Sequence, residues 1–465
     1  MRIITGSRVG LYRLHYLRLI ATLEAFLDLR SSPATMTSTL DELSVLEITP
    51  PSSPKIDAKE HIRHNITKPA NLTRKESPPS KFLNRPPEPL YYFEEGLRKV
   101  PPYHYTYNTY CKERWRGRRL LDIFVEEFRD RPEEYYKKAI EDKTVTIFRK
   151  KDGRNPTLEQ LISCGIDTIV SDGDMIAHTL HRHEPPVTEN PIEVVFEDDR
   201  LIVINKPAGV PVHPAGRYNF NSVIEIMKFE RNGVAPLPCN RLDRLTSGLM
   251  FCAKTPQAAD EMMKQLKTRT IRKQYIARVV GEFPESDITC DEPILAISPK
   301  LGLNRVRANG KHAKTVFKRL KHNAEKNYSI VECHPFTGRT HQIRVHLQYI
   351  GHPISNDPIY CNRKVWGPGL GKGGEGEDED IISRLNRMGK DETADAVAYF
   401  DDMVKEYQEI RAHKLSGCLC KVCDAPLYTD PGPHELGIYL HAKRYECESG
   451  SWAYETALPN WATVD

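Results

Sequence analysis

The chain has 465 residues, 39% hydrophobic and 28% charged, with 67 Lys+Arg against 63 Asp+Glu. That length suits two or three domains, and so polar a balance places part of it outside any core. No stretch approaches 18 uninterrupted apolar residues, which excludes a membrane-spanning helix, while a net charge of +4 neither requires nor excludes an anionic partner.

The first 36 residues carry Arg2, Arg8, Arg13, Arg18 and Arg30 against only Glu24 and Asp28. Leu11, Leu14, Leu17 and Ile20 recur at helical spacing among them. An Arg-rich, acid-poor amphipathic start fits a mitochondrial transit peptide, so the expected location is mitochondrial, cytoplasmic or both. A merely basic N-terminus, with Met36 starting a shorter form, is the other reading of the same residues. Residues 37–90 are rich in Ser, Thr and Pro, as in Ser77-Pro78-Pro79-Ser80. They lack sustained apolar periodicity and are expected to be largely disordered.

A folded region of residues 91–188 follows. Leu120, Leu121, Phe124, Val125 and Phe128 predict a helix, and Thr144–Phe148 a strand, before Gly173-Asp174-Met175-Ile176 and the basic run His181-Arg182-His183. Helix plus strand with a basic flank suits a small RNA-binding module. After Pro191 the pattern alternates. Val194–Phe196 and Leu201–Ile204 flank Glu197-Asp198-Asp199 as strand, turn and strand. Further strands are predicted at Gly248–Ala253, Gln274–Val280 and Tyr328–His334, with Ala259, Met262, Met263 and Leu266 marking one amphipathic helix between them. The expected fold class is therefore α+β.

Residues 361–435 interrupt this pattern with Gly371–Gly374, the acidic run Glu375–Asp380, helical stretches around Ile381–Ile410 and a cysteine cluster. An acidic, Gly-rich run reads as a solvated loop. Alternation in Ile438–Ala442 reads as a strand returning to the sheet, which makes 361–435 an insertion inside a domain of residues 189–360 plus 436–465.

The eleven cysteines are mostly single and scattered, the pattern of a reducing compartment. Cys418, Cys420 and Cys423, followed by His434, could bind zinc through thiolate and imidazole. No second Cys-x-x-Cys pair completes a tetrahedral set at familiar spacing, so the zinc question stays open.

One segment is far more specific than the rest. Asn240-Arg241-Leu242-Asp243-Arg244-Leu245-Thr246-Ser247-Gly248-Leu249 resembles the Arg-Leu-Asp-Arg-x-Thr-Ser-Gly-Leu signature of the RluA-type pseudouridine synthases. Family-like blocks recur in order: Asn205–Val210, Arg272–Tyr275, Thr337–Leu347 and Gly351–Ile354. With Asn240 where bacterial relatives carry His, and with His181–Pro186 upstream, the chain looks like eukaryotic members, notably fungal enzymes that modify position 32 of tRNA anticodon loops. Asn240 is expected to donate a hydrogen bond that fixes its loop.

The resemblance implies a mixed, mainly antiparallel catalytic sheet, preceded by a small S4-like RNA-binding domain. It implies isomerisation of uridine to pseudouridine with no metal or organic cofactor. Asp243 is implied as nucleophile or base, Arg344 as its partner and Tyr275 as the residue stacking on the target base and a candidate acid or base. Arg241, Arg244, Arg339 and His341 are implied RNA contacts, grouped with Lys206, which resembles a structural lysine supporting the site. Taken singly, each has a plainer role: Asp243 a turn, Tyr275 a core residue, Arg344 a surface phosphate clamp.

Charge placement points the same way. Lys264, Lys267, Arg269, Arg272, Lys273 and Arg278 occur without an intervening acid, as do Lys300, Arg305, Arg307, Lys311, Lys314, Lys318, Arg319 and Lys321. Lys112–Arg119 interleaves Trp115 with bases. Such runs suit a phosphate-tracking surface. The expected partner is tRNA, with a monomeric chain and no membrane. The same chemistry on ribosomal RNA, or a non-catalytic RNA-binding chaperone, are the alternatives.

Overall fold

The computed structural model describes residues 88–128, 133–149, 161–162, 164–268, 270–299, 301–388 and 415–463. The Arg-rich start, Met36 and nearly all of the Ser/Pro-rich stretch lie outside the described residues, as do Arg269, Lys300 and residues 389–410 of the 381–410 segment.

The first module is a four-stranded antiparallel sheet. Its strands are β1 (Tyr103–Tyr110), β2 (Val145–Phe148), β3 (Leu161–Ile162) and β4 (Met175–Arg182), in the order β1-β4-β2-β3. Helices α1 (Leu120–Glu127) and α2 (Glu133–Glu141) cover one face. Their apolar residues meet those of the sheet in one core that includes Trp115, Phe124, Tyr136, Ile140 and Ile147. That core takes up the one aromatic of the Lys112–Arg119 run, since Trp115 is buried. The arginines around it face acids: Arg114 pairs with Glu127, Arg118 with Glu126, and Arg119 with Asp122 and Asp167. The run is thus largely neutralised within the module and is no open stacking platform.

The run His181–His183 also divides. Successive strand residues point to opposite faces. Arg182 is buried against the Tyr105 and Tyr107 rings, 5.0 and 5.1 Å from their centroids, while His181 and His183 turn to the other side. Glu184 then anchors the module to the next domain. Its carboxylate accepts the N–H groups of Asn219, Phe220 and Asn221 at 2.8–3.0 Å, and the Tyr103 hydroxyl.

The larger domain is built on a mixed, mainly antiparallel sheet of ten strands among the described residues. Its main strands are β5 (Glu193–Glu197), β6 (Leu201–Lys206), β7 (Ser247–Ala253), β8 (Ile271–Val280), β9 (Ile288–Cys290), β10 (Thr315–Asn323) and β11 (Tyr328–Pro335). Two more form the hairpin β12 (Leu415–Leu419) and β13 (Pro426–Tyr428), outside this sheet, before β14 (Leu440–Cys447) returns to it. The order is β9-β10-β11-β8-β14-β7-β6-β5. Strand β14 therefore lies in the middle, antiparallel to β8 and parallel to β7. Helices α3 (Val223–Glu230) and α4 (Pro256–Thr268) bury Ile226, Met227, Ala259 and Met262 with the β6–β7 half. Helix α5 (Gln342–Tyr349) buries Ile343 and Leu347 with the β8–β11 half.

The β7–β14 contact explains a glycine of the signature. Gly248 has φ +112°, and a Cβ there would stand 2.3 Å from the Ala442 carbonyl oxygen. Only a residue without a side chain lets β14 approach so closely.

The acidic, Gly-rich run is largely exposed, as expected of a solvated loop, but its backbone also wraps round an arginine. Arg305 is buried, and its guanidinium donates to the carbonyls of Gly374, Glu375 and Gly376 and to Asp378 at 2.5–2.9 Å. Arg307 shares Asp378, which opens helix α6 (Asp378–Met388). Two bases of the Lys300–Lys321 run are thereby spent inside the protein, and Arg319 faces Glu282 and Glu285. Composition could not show this, because these acids lie between 34 and 73 residues from their bases.

Candidate active site

The signature loop, β8, the end of β11 and the start of α5 surround a cavity of about 520 Å³. Its lining includes Arg241, Asp243, Tyr275, Arg339, His341 and Arg344, together with Lys267 and Lys273. Lys206 and Arg244 lie outside this lining.

Asp243 sits on the loop just before β7, its side chain about one-fifth exposed toward the cavity. Arg344 Nη1 donates to Asp243 Oδ2 at 3.1 Å. The same guanidinium donates from Nε and Nη2 to the two oxygens of Asp357 at 2.6 and 2.9 Å. Arg344 is thus held bidentately by one carboxylate and presented to another, a geometry suited to a planar five-donor group. Its burial is that of a core residue and excludes a surface phosphate clamp.

Asp357 escapes sequence reasoning. It is fully buried, lies beyond the Gly351–Ile354 block, and Oδ1 also accepts the N–H groups of Ile359 and Tyr360. No pattern marks it, because an aspartate before a proline ordinarily reads as a turn.

His341 and Arg344 converge on Asp243 as residues i and i+3. The helix itself opens at Gln342. His341 is its N-cap in the left-handed region, at φ 58° and ψ 19°. A non-glycine residue in this region needs support from its surroundings. Here Gln342 provides it, accepting from Thr337 Oγ1 and the Arg339 N–H and donating to the Lys314 carbonyl and to Thr315 Oγ1. His341 Nε2 stands 3.5 Å from Asp243 Oδ2, and Nδ1 lies 2.9 Å from the Tyr360 hydroxyl. Tyr360 Oη already accepts the Asn304 N–H, so its own proton goes to Nδ1. This assigns the imidazole proton to Nε2, facing Asp243.

Burial alone would raise the Asp243 carboxyl, but the His341 ring, turning its Nε2–H toward it, and the Arg344 guanidinium outweigh burial and hold the group below the ordinary carboxylate range. Burial, reinforced by Arg344, brings His341 down to about 4. His341 is therefore neutral near pH 7, and the guanidinium keeps Asp243 ionised.

Tyr275 reaches the cavity from β8, where a bulge between Gln274 and Tyr275 shifts the register against β14. Bulges re-aim side chains in this way. Its hydroxyl is 2.5 Å from that of Tyr445 on β14. Burial pushes the Tyr275 phenol up to about 12, so it is a neutral phenol at physiological pH. As such it offers a ring face and a hydroxyl, while phenolate is scarce.

The remaining predicted residues fall into two groups. Arg241 is exposed at the cavity mouth. Arg339 also lines the cavity and is tied by Nε to the His312 carbonyl. Lys206, grouped with RNA contacts, is completely buried and donates to the carbonyls of Pro207, Val210 and Arg244 at 2.8, 2.9 and 3.1 Å. It fastens two loops together behind Asp243 and does not face the cavity. Arg244 lies against the Tyr218 ring, 5.7 Å from its centroid. Asn240 fixes its loop as an acceptor, not a donor, taking the Phe251 N–H on Oδ1 at 2.9 Å. Cys418, Cys420, Cys423 and His434 are all absent from the cavity lining.

The arrangement pairs one ionised carboxylate with a neutral phenol in a pocket rimmed by cations. A carboxylate so placed can attack or deprotonate an electron-poor centre, while the cations suit a phosphodiester backbone.

Residues 200–349 match the family model described as RNA pseudouridylate synthase. Over 377 residues the chain is 48% identical to a Saccharomyces cerevisiae protein named tRNA pseudouridine(32) synthase, mitochondrial, spanning 79% of this chain and 77% of that one. It is 39% identical over 424 residues to the mouse pseudouridylate synthase RPUSD2, with 81% and 74% covered. A second S. cerevisiae protein, named tRNA pseudouridine(31) synthase, is 34% identical over 413 residues, with 80% and 97% covered.

Proposed function

The chain belongs to the RNA pseudouridylate synthase family, and on that premise we propose that it converts uridine to pseudouridine at position 32 of tRNA, with Asp243 as nucleophile. The observation that carries the proposal is the Asp357–Arg344–Asp243 array, which holds one ionised carboxylate at a cavity large enough for a single base. The choice of tRNA and of position 32 is supported by the name of the 48%-identical relative.

In the reaction, the uridine N1–C1′ bond breaks, the base turns, and a C5–C1′ bond forms. Asp243 forms an ester to C1′ as N1 departs and is displaced when C5 attacks. The base loses its C5 proton and gains one at N1, so the sum is an isomerisation. Retaining glycosidases divide a glycosyl transfer between two carboxylate steps in the same manner. The target base must first leave its stack. In this reading Arg241 at the mouth fills the vacated position, and the Tyr275 ring lies against the flipped base.

The module of residues 103–182 serves as an S4-like RNA-binding domain in this reading, supported by its two helices packed on a small sheet immediately before the catalytic domain. Mitochondrial location is supported by the Arg-rich start and by the same relative's name.

The test is to map pseudouridine in cellular RNA lacking the protein and complemented with wild type or Asp243→Asn. The expected result is loss of position 32 in tRNA, restored by wild type alone. Restoration by Asp243→Asn would end the mechanism. Dependence of position 31 or of a ribosomal site instead would redirect the substrate assignment.

A further inference from the structure

We propose that His181, His183, Cys420 and Cys423 bind one zinc ion that fastens the hairpin of the insertion to the sheet of the first module. The four residues come from chain segments about 240 positions apart, yet one ligand atom from each lies within 4.8 Å of every other. Cys420 Sγ is 3.4 Å from His181 Nδ1, and Cys423 Sγ is 3.4 Å from His183 Nε2. A tetrahedral zinc ion with bonds of about 2.3 Å to sulfur and about 2.0 Å to nitrogen spaces S and N about 3.5 Å apart. The observed contacts match that spacing.

Each segment is shaped for the task. His181 and His183 are two apart on and just beyond β4, so both project from one face while Arg182 occupies the other. Their rings meet edge to face with centroids 4.9 Å apart. Cys420 and Cys423 flank the turn between β12 and β13. There the Val422 N–H points at Cys420 Sγ at 3.4 Å, and the Cys420 and Ala425 backbones close the turn. A backbone donor aimed at a sulfur stabilises it as thiolate, the form that ligates metal. Two thiolates and two neutral imidazoles make the zinc site neutral overall, so its partial burial leaves no net charge unpaired.

Four protein ligands leave no open position, which marks the site as structural. Independently of these residues, Lys99 pairs with Asp430 just beyond β13, so the same part of the insertion is also tied to the strand at residues 97–99. Cys418 is exposed and His434 lies on a short turn at residues 433–435. Neither belongs to the group, although both share the sequence neighbourhood of its thiolates.

Metal analysis of the full chain purified without chelator tests the proposal. About one zinc per chain is expected, and replacement by cobalt should give the intense visible bands of a tetrahedral thiolate–imidazole site. Cys420→Ser and His183→Ala should each lose most of the metal, while Cys418→Ser and His434→Ala keep it. Because the first two variants can fail to fold, the wild-type cobalt spectrum stands as a separate criterion. Wild-type protein without zinc that yields no tetrahedral cobalt spectrum, or that carries a Cys420–Cys423 disulfide instead, would overturn the proposal. Full zinc in soluble Cys420→Ser would do so as well.

Discussion

Replacing Asp357 by Asn probes the site through a residue that never meets the substrate. The Asp357 carboxylate serves four donors: Arg344 Nε and Nη2 and the N–H groups of Ile359 and Tyr360. An asparagine brings one acceptor oxygen and an NH₂ group, so at least one donor must face another. With the oxygen kept on the backbone turn, Arg344 Nε loses its bond, and a hydrogen bond to a charged group contributes about 1.5–3 kcal/mol. Stripping a buried pair of one charge costs about 3–5 kcal/mol, offset here because Asp243 remains as counter-ion. The net expectation is roughly 2–4 kcal/mol lost from folding stability. Catalysis suffers separately, because a guanidinium freed at one end no longer fixes Asp243. A loss of about 1.5–3 kcal/mol in the transition state lowers kcat roughly 10- to 100-fold. KM for RNA should hardly move, since Asp357 is buried and absent from the cavity lining. The assay is release of tritium from RNA labelled at uridine C5, measured in single turnover and at steady state, with urea unfolding alongside. A kcat within twofold of wild type in folded Asp357→Asn would refute the positioning argument. A rise in KM at constant kcat would mean that Arg344 serves RNA binding.

Three further outcomes follow from the same structure. Because His341 is held down to about 4 and Asp243 lies below the ordinary carboxylate range, both keep one charge state from about pH 5.5 to 8; kcat/KM should show no inflection near 6.5, and one that disappears in His341→Gln would disprove the neutral assignment. The buried neutral histidines His341, His346 and His441 all fall to about 4, so the unfolded chain binds more protons between pH 6.5 and 4, and stability, full above 6.5, should decline through that window by up to about 3 kcal/mol per histidine. Urea midpoints unchanged from pH 7 to 4.5 would contradict this. Lys206→Met strips three carbonyls of their donor and should cost about 3 kcal/mol or more in stability, whereas Arg241→Ala at the exposed rim should stay within about 0.5 kcal/mol and weaken catalysis instead; equal unfolding midpoints for the two variants would rule out the structural role given to Lys206.

Asp243, Tyr275 and Arg344 were legible in the sequence because each sits in a contiguous block whose neighbours serve the same geometry. Gly248 admits β14, Thr337 and Gln342 brace the left-handed turn at His341, and Asn240 fixes the loop before β7. Strands and helices were readable for a related reason, since periodicity records which side of an element is buried. Basic runs were less informative, because a formal charge carries no record of its partner: Arg305 and Arg182 are core residues, and Lys206 is spent on carbonyls. What the amino-acid sequence determined by itself was the set of elements that bring Asp243, Tyr275 and Arg344 to one cavity. Only the tertiary structure selected Asp357 as the anchor of Arg344, Tyr360 as the group that orients His341, and His181 and His183 as neighbours of Cys420 and Cys423. Those choices depend on contacts between segments remote in the chain, and the relative placement of such segments is settled by packing of the whole, which no local pattern encodes.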